Sequence, residues 1–342
     1  MIAQVERNII VADPGVDDVF ALLVAAGIDE KVSFVSTYGN AEESLTAKNL
    51  KGTTDFISTN LEYRGEFEIE VFRGADRAVG VEVPYEPEGG DLFWIHGPNA
   101  CEGLFQDATP SDITSDELYD RLAKDGKEVG VISVAAVTEV AHLLSRQDAP
   151  NVTELTIMGG VIFSQGNVTP HVEANFSHDP QALATVFEEV KNRSIDMLLV
   201  PLDLTQHPGL ELTPERLDEM MQQLKGHGGE QIATLLDALF GEKSTYRGFY
   251  NSKRSVRLPQ TGEERIFQGP VLHDLTAVLA RRHPEIFRVV PMKLLVRPDG
   301  AIDAPTSWMG EYESAYDIHV ATDVLDPDQY WALTTHYLAS YK

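Results

Sequence analysis

The stretch that decides the fold is Asp13-Pro14-Gly15-Val16-Asp17-Asp18. It follows the apolar run Ile9-Ile10-Val11-Ala12 and continues into a second apolar segment. We interpret this region as a strand, a tight turn and a helix, because proline restricts the backbone and Gly15 permits a positive φ angle at the turn. Asp17 and Asp18 are then expected in the first helical turn, where the helix dipole favours negative charge.

Three carboxylates converge on this turn. Acidic residues are common at helix starts, so Asp17 or Asp18 alone is explained by helix capping. Asp13 also closes the strand at its carboxyl end, and three neighbouring carboxylates repel one another unless a positive charge joins them. The pattern therefore predicts a hard cation held by oxygen ligands.

The charge balance excludes several classes of partner. The 342 residues include 54 acidic and 27 basic side chains, which give a net charge of −27. This composition argues against a nucleic-acid polymer or an anionic membrane surface as a partner, and it suits solubility or a salty habitat. Cys101 is the sole cysteine, so no disulfide framework is expected. Without a signal-peptide core or an apolar run of ~20 residues, a soluble, cytoplasmic protein is expected.

Strand-like and helix-like segments alternate along the chain. Predicted strands cover 9–12, 32–38, 67–72, 129–134, 155–158, 195–204, 287–296 and 318–320. Predicted helices cover 19–26, 44–57, 116–124, 137–144, 180–190, two segments within 213–239, 271–281 and 326–341. Repeated β-then-α units predict a mainly parallel central sheet flanked by helices on both faces. No linker-like tract divides the sequence, so we expect a single α/β domain over residues 1–342.

Ligands of open parallel sheets bind at the carboxyl ends of the strands. The polar groups expected at this edge are Asp13, Asp17, Asp18, Asn40, the carbonyl of Val134, Asn167, Glu173, Asn175, His273 and Asp274. Taken singly, each has a structural explanation, such as a turn for Asn40 or a helix cap for the His-Asp pair. Their convergence on one edge favours a binding site.

These side chains suit a neutral, hydroxyl-rich ligand. The sequence contains no P-loop, no Gly-rich dinucleotide fingerprint and no G-x-S-x-G motif. A cation held by Asp13, Asp18 and Asp274 could bind vicinal sugar hydroxyls and lower the pKa of a water. Cleavage of a glycosidic bond passes through an oxocarbenium-like transition state, which a dense negative site stabilises. A histidine can protonate the leaving group at neutral pH.

With these residues the chain resembles the calcium-dependent nucleoside hydrolases of the inosine–uridine-preferring type. The opening motif and the downstream His273-Asp274 carry most of the resemblance, which spans nearly the whole chain. The other shared segments are Gly39-Asn40, Arg73-Gly74-Ala75, His96-Gly97, Val137-Thr138-Glu139-Val140-Ala141, Met158-Gly159-Gly160, Gly166-Asn167, Glu173-Ala174-Asn175-Phe176, Asp179-Pro180 and Leu202-Asp203-Leu204-Thr205. The resemblance implies a Rossmann-like fold and hydrolysis of the N-glycosidic bond of a small ribonucleoside by a homodimer or homotetramer.

The resemblance also implies a role for each site residue. The calcium ligands would be Asp13, Asp18, Asp274 and the carbonyl of Val134, with Asp274 also binding substrate. Asp13 would be the general base, His273 the leaving-group acid and His96 a contact to the nucleobase. Asp17, Asn40 and Asn175 would bind the ribose 2′- and 3′-hydroxyls, Asn167 and Glu173 the 5′-hydroxyl, and Met158 would lie beneath the ribose.

The sequence departs from the family pattern at four places, none of which is assigned to chemistry. Val11-Ala12 stand where the family has an aspartate and a small polar residue. Ala135-Ala136 replace Gly-Pro or Gly-Gly, and Glu139 replaces an asparagine, so the loop at Val134 is expected to differ in detail. The segment Asp303-Ala304-Pro305-Thr306 lacks an Arg-Gly pair.

Two other functions stay open at the level of sequence. A non-catalytic, calcium-dependent ribose- or nucleoside-binding protein would keep the cation site, although it would need neither Asp13 nor His273. A metal-dependent phosphatase would want a second aspartate two residues after the first, where Gly15 stands. The aromatic residues near His96 and within 246–250 can either stack on a base or only pack locally.

Overall fold

A mainly parallel sheet of nine strands runs through the protein. The structure is a computed structural model that describes residues 7–29, 31–62, 68–87, 93–252, 254–257, 263–304 and 315–342. Its strands are β1 (Arg7–Ala12), β2 (Lys31–Ser36), β3 (Glu68–Arg73), β4 (Glu128–Ser133), β5 (Asn151–Met158), β6 (Asp196–Val200), β7 (Ser255–Arg257), β8 (Glu264–Ile266), β9 (Phe287–Val296), β10 (Ile302–Asp303) and β11 (Tyr316–Val324).

The strand order is β10-β9-β11-β6-β5-β4-β1-β2-β3. The strands from β11 to β3 are all parallel, whereas β9 is antiparallel to both of its neighbours. In register, Asn8 of β1 lies between Val32 of β2 and Gly130 of β4. The carboxyl ends of β1, β2, β4 and β5 therefore meet at one edge of the sheet.

Helices cover both faces of the sheet. They are α1 (Val16–Ile28), α2 (Glu43–Asn60), α3 (Phe93–His96), α4 (Ser115–Asp125), α5 (Thr138–Ser145), α6 (Ala174–Ser177), α7 (Pro180–Arg193), α8 (Leu202–Thr205), α9 (Pro214–Gly226), α10 (Glu230–Phe240), α11 (Thr245–Asn251), α12 (His273–Arg282) and α13 (Pro327–Leu338). Within the described ranges, no helix combines the length and the apolar character needed to cross a membrane.

Two hydrophobic cores form because the side chains of β1 alternate between the two faces of the sheet. Ile10 packs into one core with α1, α9, α10, α12 and α13. Ile9 and Val11 pack into the other with α4, α5 and α7. The apolar character of β1 on both sides, including Val11 where the family has an aspartate, thus fits a strand that is buried on both faces.

Helix α1 is the most deeply buried helix next to the site. Its residues from Val16 to Ala26 are all buried, as expected for a helix that is apolar around its circumference. Phe20 packs edge-to-face on Phe240 with ring centroids 5.4 Å apart. The hydroxyl of Tyr341 donates to the carbonyl of Leu23 (2.7 Å), which ties the end of the chain to this helix. The first turn of α1 is therefore held on a rigid support.

The structure confirms the mainly parallel α/β sheet and corrects two regions. The predicted strand 195–204 ends at Val200, because Pro201 precedes the short helix α8. The sequence predicts no element between 241 and 269, yet α11 and the β7–β8 hairpin lie there. The hairpin has few residues and a polar composition, so it lacks the apolar run that marks a central strand.

We predict that Phe20→Ala lowers the free energy of unfolding by about 3–5 kcal/mol, because it leaves a cavity against Phe240 in a closely packed core. Chemical denaturation measured by circular dichroism would test this. Leu325→Ala serves as the control, because Leu325 is 53% exposed and its loss should change stability by less than ~0.5 kcal/mol. Equal effects of the two substitutions would contradict the described core.

Candidate active site

The turn after β1 is held together by the carboxylate of Asp18. Its Oδ2 accepts hydrogen bonds from the backbone N–H of Gly15 (2.9 Å) and from Nδ2 of Asn40 (3.0 Å), and Oδ1 accepts from the backbone N–H of Asp13 (3.3 Å). Asp18 is completely buried. It thus caps the amino terminus of α1 and also holds Asn40, the residue that follows β2.

The glycine of this turn is required for a reason that the sequence did not predict. Gly15 has φ −95°, so the turn does not use the positive φ that glycine permits. A Cβ at this position would lie 2.7 Å from Nδ1 of His96 and 2.8 Å from Nδ2 of Asn40. Glycine is needed because His96 and Asn40 approach the backbone closely.

The Gly39-Asn40 pair forms a cradle for Asp13. The backbone N–H of Asn40 donates to Oδ2 of Asp13 (2.6 Å), and Nδ2 of Asn40 donates to the Asp13 carbonyl (3.1 Å). A Cβ on Gly39 would lie 1.8 Å from the same Oδ2. Asn40 is therefore more than a turn residue, since it fixes the direction of the Asp13 carboxylate.

Four carboxylates meet at this edge of the sheet. Ligand atoms of Asp17, Asp18 and Asp274 all lie within 4.8 Å of one another, and Asp13 lies beside them in the same turn. Asp274 reaches the cluster from the first turn of α12. Sequence reasoning placed Asp17 on the ribose, whereas the geometry also makes it a candidate ligand of a cation.

Burial raises the pKa of all four carboxyls, and the charge of Asp18 raises the pKa of the other three further. Burial raises the pKa of Asp17 to about 8, with the charge of Asp18 adding to the shift, and it raises the pKa of Asp18 to about 6. Burial, followed by the charge of Asp18, also holds the pKa of Asp13 and of Asp274 well above the usual range. The donors are all oxygens, so the cluster fits a hard divalent cation whose charge would keep these groups ionised.

The carbonyl of Val134 lies at the same edge, directly after β4. Nδ2 of Asn175 donates to this carbonyl (3.2 Å) and to the carbonyl of Met158 at the end of β5 (3.1 Å). A carbonyl oxygen has two lone pairs, so Val134 keeps one for a further ligand. Asn175 thus fixes the exits of two neighbouring strands.

Glu173 and Asn167 organise the loop that follows β5. The Glu173 carboxylate caps α6, accepting from the N–H groups of Asn175 (2.8 Å) and Phe176 (3.2 Å), and it also accepts from the N–H of Gly160 (2.9 Å). Burial raises the pKa of Glu173 to about 7. Oδ1 of Asn167 accepts from the N–H of Ala174 (2.9 Å). Both residues therefore have a structural task besides their expected contact to a ligand.

Of the two histidines of the site, His96 is buried and His273 is partly buried. Nδ1 of His96 accepts from the backbone N–H of Val16 (3.1 Å), which leaves the proton of the neutral ring on Nε2. Burial, together with His273, lowers the pKa of His96 to about 3. Nδ1 of His273 lies 2.7 Å from Oγ1 of Thr205 and Nε2 lies 3.3 Å from the hydroxyl of Tyr250. Burial lowers the pKa of His273 to about 4, so its ring is neutral at pH 7.

These residues surround one cavity of about 680 Å³. Of the twelve residues predicted from the sequence, eleven line it: Asp13, Asp17, Asn40, His96, Val134, Met158, Asn167, Glu173, Asn175, His273 and Asp274. Asp18 is the exception, because it lies behind the surface and holds the turn. The predicted site residues are thus brought together from segments more than 200 residues apart.

The end of the cavity near the two histidines is lined by Trp94, Tyr246 and Phe249, which we call the aromatic wall. Tyr246 is fixed by packing, since its hydroxyl donates to the carbonyl of Val271 (2.8 Å) and it is buried. Trp94 is 49% exposed and packs on Phe249 with ring centroids 4.8 Å apart. The guanidinium of Arg254 lies 3.8 Å from the Phe249 ring centroid. Packing therefore explains Tyr246, whereas the exposed indole of Trp94 is available to a ligand.

Sequence reasoning missed several lining residues, among them Gln165, Thr169, Gln206, Arg254 and Phe267. The regular spacing of Tyr246, Tyr250 and Arg254, four residues apart, was the available signal for Arg254. Gln206 and Phe267 lie in segments without a periodic pattern, so only the tertiary structure reveals them.

Glu139, a departure from the family pattern, lies outside this cavity. Its carboxylate accepts from the backbone N–H of Ala75 (2.6 Å) and from the hydroxyl of Tyr119 (2.7 Å). A Cβ on Gly74 would lie 2.6 Å from the same carboxylate. Glu139 thus holds the Arg73-Gly74-Ala75 segment. Of the C-terminal departure, Pro305 and Thr306 lie outside the described residues.

Known proteins share this sequence pattern and this architecture. The profile of the family described as inosine-uridine preferring nucleoside hydrolase matches residues 9–332. The non-specific ribonucleoside hydrolase RihC of Escherichia coli is 26% identical over 303 residues, 86% of this chain and 85% of that protein. The probable uridine nucleosidase 2 of Oryza sativa subsp. japonica is 25% identical over 315 residues, 88% of this chain and 81% of that protein.

Solved structures show the same fold. A purine-preferring ribonucleoside hydrolase from Gardnerella vaginalis superposes with a TM-score of 0.75 at 21% identity and covers 98% of both chains. A plant nucleoside hydrolase, PpNRh1, superposes with a TM-score of 0.78 at 18% identity and covers 98% of this chain and 99% of that one. Together with the sequence matches, they show that the protein is a nucleoside hydrolase. The chain belongs to the family of inosine-uridine preferring nucleoside hydrolases.

We predict that added divalent cation stabilises the protein more at pH 8 than at pH 6. At these four carboxyls, the raised pKa values mean that the folded protein without a cation binds more protons than the unfolded chain between pH ~4 and ~8, so their contribution to stability falls as pH rises through this range. Ligation requires ionised carboxylates, so a cation competes with these protons. Thermal unfolding with chelator and with cation, at both pH values, measures the effect.

The matched control for this prediction is a carboxylate outside the cluster. Asp17→Asn should reduce the shift caused by the cation, while Asp116→Asn, whose side chain is 58% exposed, should leave it unchanged. A shift of equal size at pH 6 and pH 8 would contradict a site built from these carboxyls.

Proposed function

We propose that the protein hydrolyses the N-glycosidic bond of ribonucleosides to free nucleobase and ribose, with calcium as its cation. The observation that carries this proposal is the cluster of four buried carboxylates, three of which line one cavity together with amide side chains and two histidines. Such a site suits a neutral sugar, and its negative charge suits an oxocarbenium-like transition state. The names of the relatives, which include uridine and purine-preferring nucleosidases, support a ribonucleoside as the substrate.

The proposed calcium ligands are the carboxylates of Asp13, Asp18 and Asp274 and the carbonyl of Val134. The closeness of Asp17 to two of these carboxylates adds it as a further candidate. Calcium prefers six to eight oxygen ligands, so vicinal ribose hydroxyls and a water complete such a set. When bound, the cation supplies coordination of the sugar and lowers the pKa of water.

Asp13 is proposed as the general base. One of its oxygens is engaged by the N–H of Asn40, so the carboxylate has a fixed direction, and its other oxygen is left to accept a proton from water. Burial raises the pKa of Asp13, and the charge of the bound cation would keep its carboxylate ionised at neutral pH, so that it can accept a proton.

The remaining polar groups are proposed to bind the ribose. Asp17, Asn40 and Asn175 would contact the 2′- and 3′-hydroxyls, because they line the cavity beside the carboxylate cluster. Asn167 and Glu173 would contact the 5′-hydroxyl from the loop after β5. The side chain of Met158, whose sulfur lies 3.4 Å from Nδ2 of Asn175, would pack beneath the sugar ring.

His273 is proposed as the acid that protonates the departing base, and His96 as a contact to that base. The His273 ring is neutral at pH 7 in the unliganded site. Negative charge that develops on the leaving base favours the protonated form and raises the pKa of the ring in the transition state. Thr205 and Tyr250 hold the two ring nitrogens and so fix its direction.

We predict that Asp13→Asn lowers kcat for inosine and uridine by about 10²–10⁴-fold, because the base is lost. Release of ribose with calcium present measures this rate, and a chelator should abolish the reaction of the unmodified protein. Asp116→Asn is the control and should keep full activity. If the unmodified protein binds nucleosides but releases no ribose, it is a binding protein and the proposed function is wrong.

We predict that His273→Ala causes a large loss of kcat on purine nucleosides but little loss on a riboside with an activated aryl leaving group. Such a leaving group departs without protonation, so it does not need the acid. Parallel assays of inosine and a nitrophenyl riboside test this. Equal losses on the two substrates would exclude the acid role.

A further inference from the structure

The backbone after His96 adopts a conformation that residues with a side chain rarely take. Among the described residues, five non-glycine residues have a positive φ, and four of them lie in one turn: Asn99, Ala100, Glu102 and Phe105, with φ values from 52° to 60°. A left-handed conformation brings Cβ close to the backbone, so it persists only where surrounding contacts enforce it. We call residues 97–105 the left-handed turn.

Glu102 connects this turn to both α3 and α11. Its backbone N–H donates to the carbonyl of His96 (2.8 Å). Its Oε1 accepts from the hydroxyl of Ser244 (2.9 Å) and from the backbone N–H of Tyr246 (2.8 Å). One residue therefore holds the end of α3 through its backbone and the start of α11 through its carboxylate.

The glycine of the His96-Gly97 pair is explained by the same contact. Gly97 has φ +75°, and a Cβ there would lie 2.6 Å from Oε2 of Glu102. A side chain at this position would be strained and would also push the carboxylate away from α11. The glycine of the His96-Gly97 pair therefore leaves room for the carboxylate of Glu102.

The two segments that Glu102 joins form opposite parts of the aromatic wall. The rings of His96 and Tyr246 lie 5.1 Å apart, and those of Trp94 and Phe249 lie 4.8 Å apart. All four side chains line the cavity. A movement of α3 relative to α11 would change the width of this end of the cavity, while the carboxylate cluster lies on the separate support of β1 and α1.

We propose that Glu102 is a positioning residue, which couples the left-handed turn to α11 and so holds the two sides of the nucleobase end of the cavity in one arrangement. Glu102 does not line the cavity itself. It acts through His96 and Tyr246. The assignment of this end to the nucleobase rests on the proposed function.

The coupling itself is tested by hydrogen exchange, which needs no substrate. In the calcium-loaded full-length protein, Glu102→Ala should increase amide exchange in residues 93–105 and in residues 245–251 together. Gln106→Ala is the matched control, because its exposed side chain contacts Gly103 in the same turn without reaching α11; it should leave 245–251 unchanged. Faster exchange in only one of the two segments of Glu102→Ala would overturn the coupling.

The effect on binding is tested by comparing the base with the sugar. Glu102→Ala should raise KM for inosine about tenfold, which corresponds to ~1.4 kcal/mol, while the inhibition constant of ribose stays within about twofold of its original value. Glu102→Gln, whose amide oxygen can accept both hydrogen bonds, should restore the original KM. A loss that affects ribose as much as inosine, or a failure of Gln to rescue, would overturn the positioning role.

A variant that retains the negative charge at position 102 provides a second test in case Glu102→Ala does not fold. If Glu102→Ala does not fold, Glu102→Asp withdraws the carboxylate from Ser244 and Tyr246 and keeps the backbone contact to His96, and the same exchange and KM changes are expected from it. A folded Glu102→Asp with unchanged exchange and KM would overturn the proposal. Absence of ribose release by the unmodified protein would instead refute the proposed function and leave the exchange result standing.

Discussion

Four carboxylates, from the turn after β1 and from the first turns of α1 and α12, are buried close together. Mutual repulsion among them is the constraint on which the site depends. Burial of a carboxylate is unfavourable unless it is hydrogen-bonded, protonated or paired with a cation. Asp18 satisfies this condition through backbone and amide donors, and Asp13 does so in part through Asn40. The pKa values of Asp17 and Asp274, like those of the other two carboxyls, are raised. A bound hard cation would offset this repulsion, and it would supply the positive charge to which sugar hydroxyls and water can bind.

The sheet makes this concentration of charge possible. The carboxyl ends of parallel strands meet at one edge, so β1, β2 and β4 each contribute a polar group without a long loop, whereas Asn167, Glu173 and Asn175 come from the longer loop after β5. Helix α1 is buried along its length, and its first turn cannot easily move. The acidic end of the cavity therefore lies on a closely packed support, which suits the coordination of a ligand.

The other end of the cavity is built differently. Its aromatic wall comes from short helices, α3 and α11, and from segments without regular structure. Such segments gain their order from side-chain contacts rather than from a ladder of backbone hydrogen bonds. The contact of Glu102 with both helices supplies one such constraint.

The sequence by itself determined the parallel α/β fold and most of the polar residues at the strand exits, although it missed Gln165 and Gln206. Both follow from local signals: apolar runs of strand and helix length, and acidic or amide residues directly after them. The family resemblance rested on the same residues. Even the departures Val11 and Glu139 could be named, although their roles as core residue and as a support of the 73–75 segment could not.

The tertiary structure decided what depends on contacts between distant segments. It showed that Gly15 is needed for the close approach of His96 and not for a positive φ. It also added Asp17 to the candidate ligands of the cation and placed Asp18 behind the cavity surface. It also formed α11 and the β7–β8 hairpin from a polar segment and joined Glu102 to Tyr246. Apart from the β7–β8 hairpin, whose pairing is local, these features arise from contacts between residues far apart in the sequence, such as Val16 with His96 and Asp18 with Asp274. Local periodicity carries no information about such pairs.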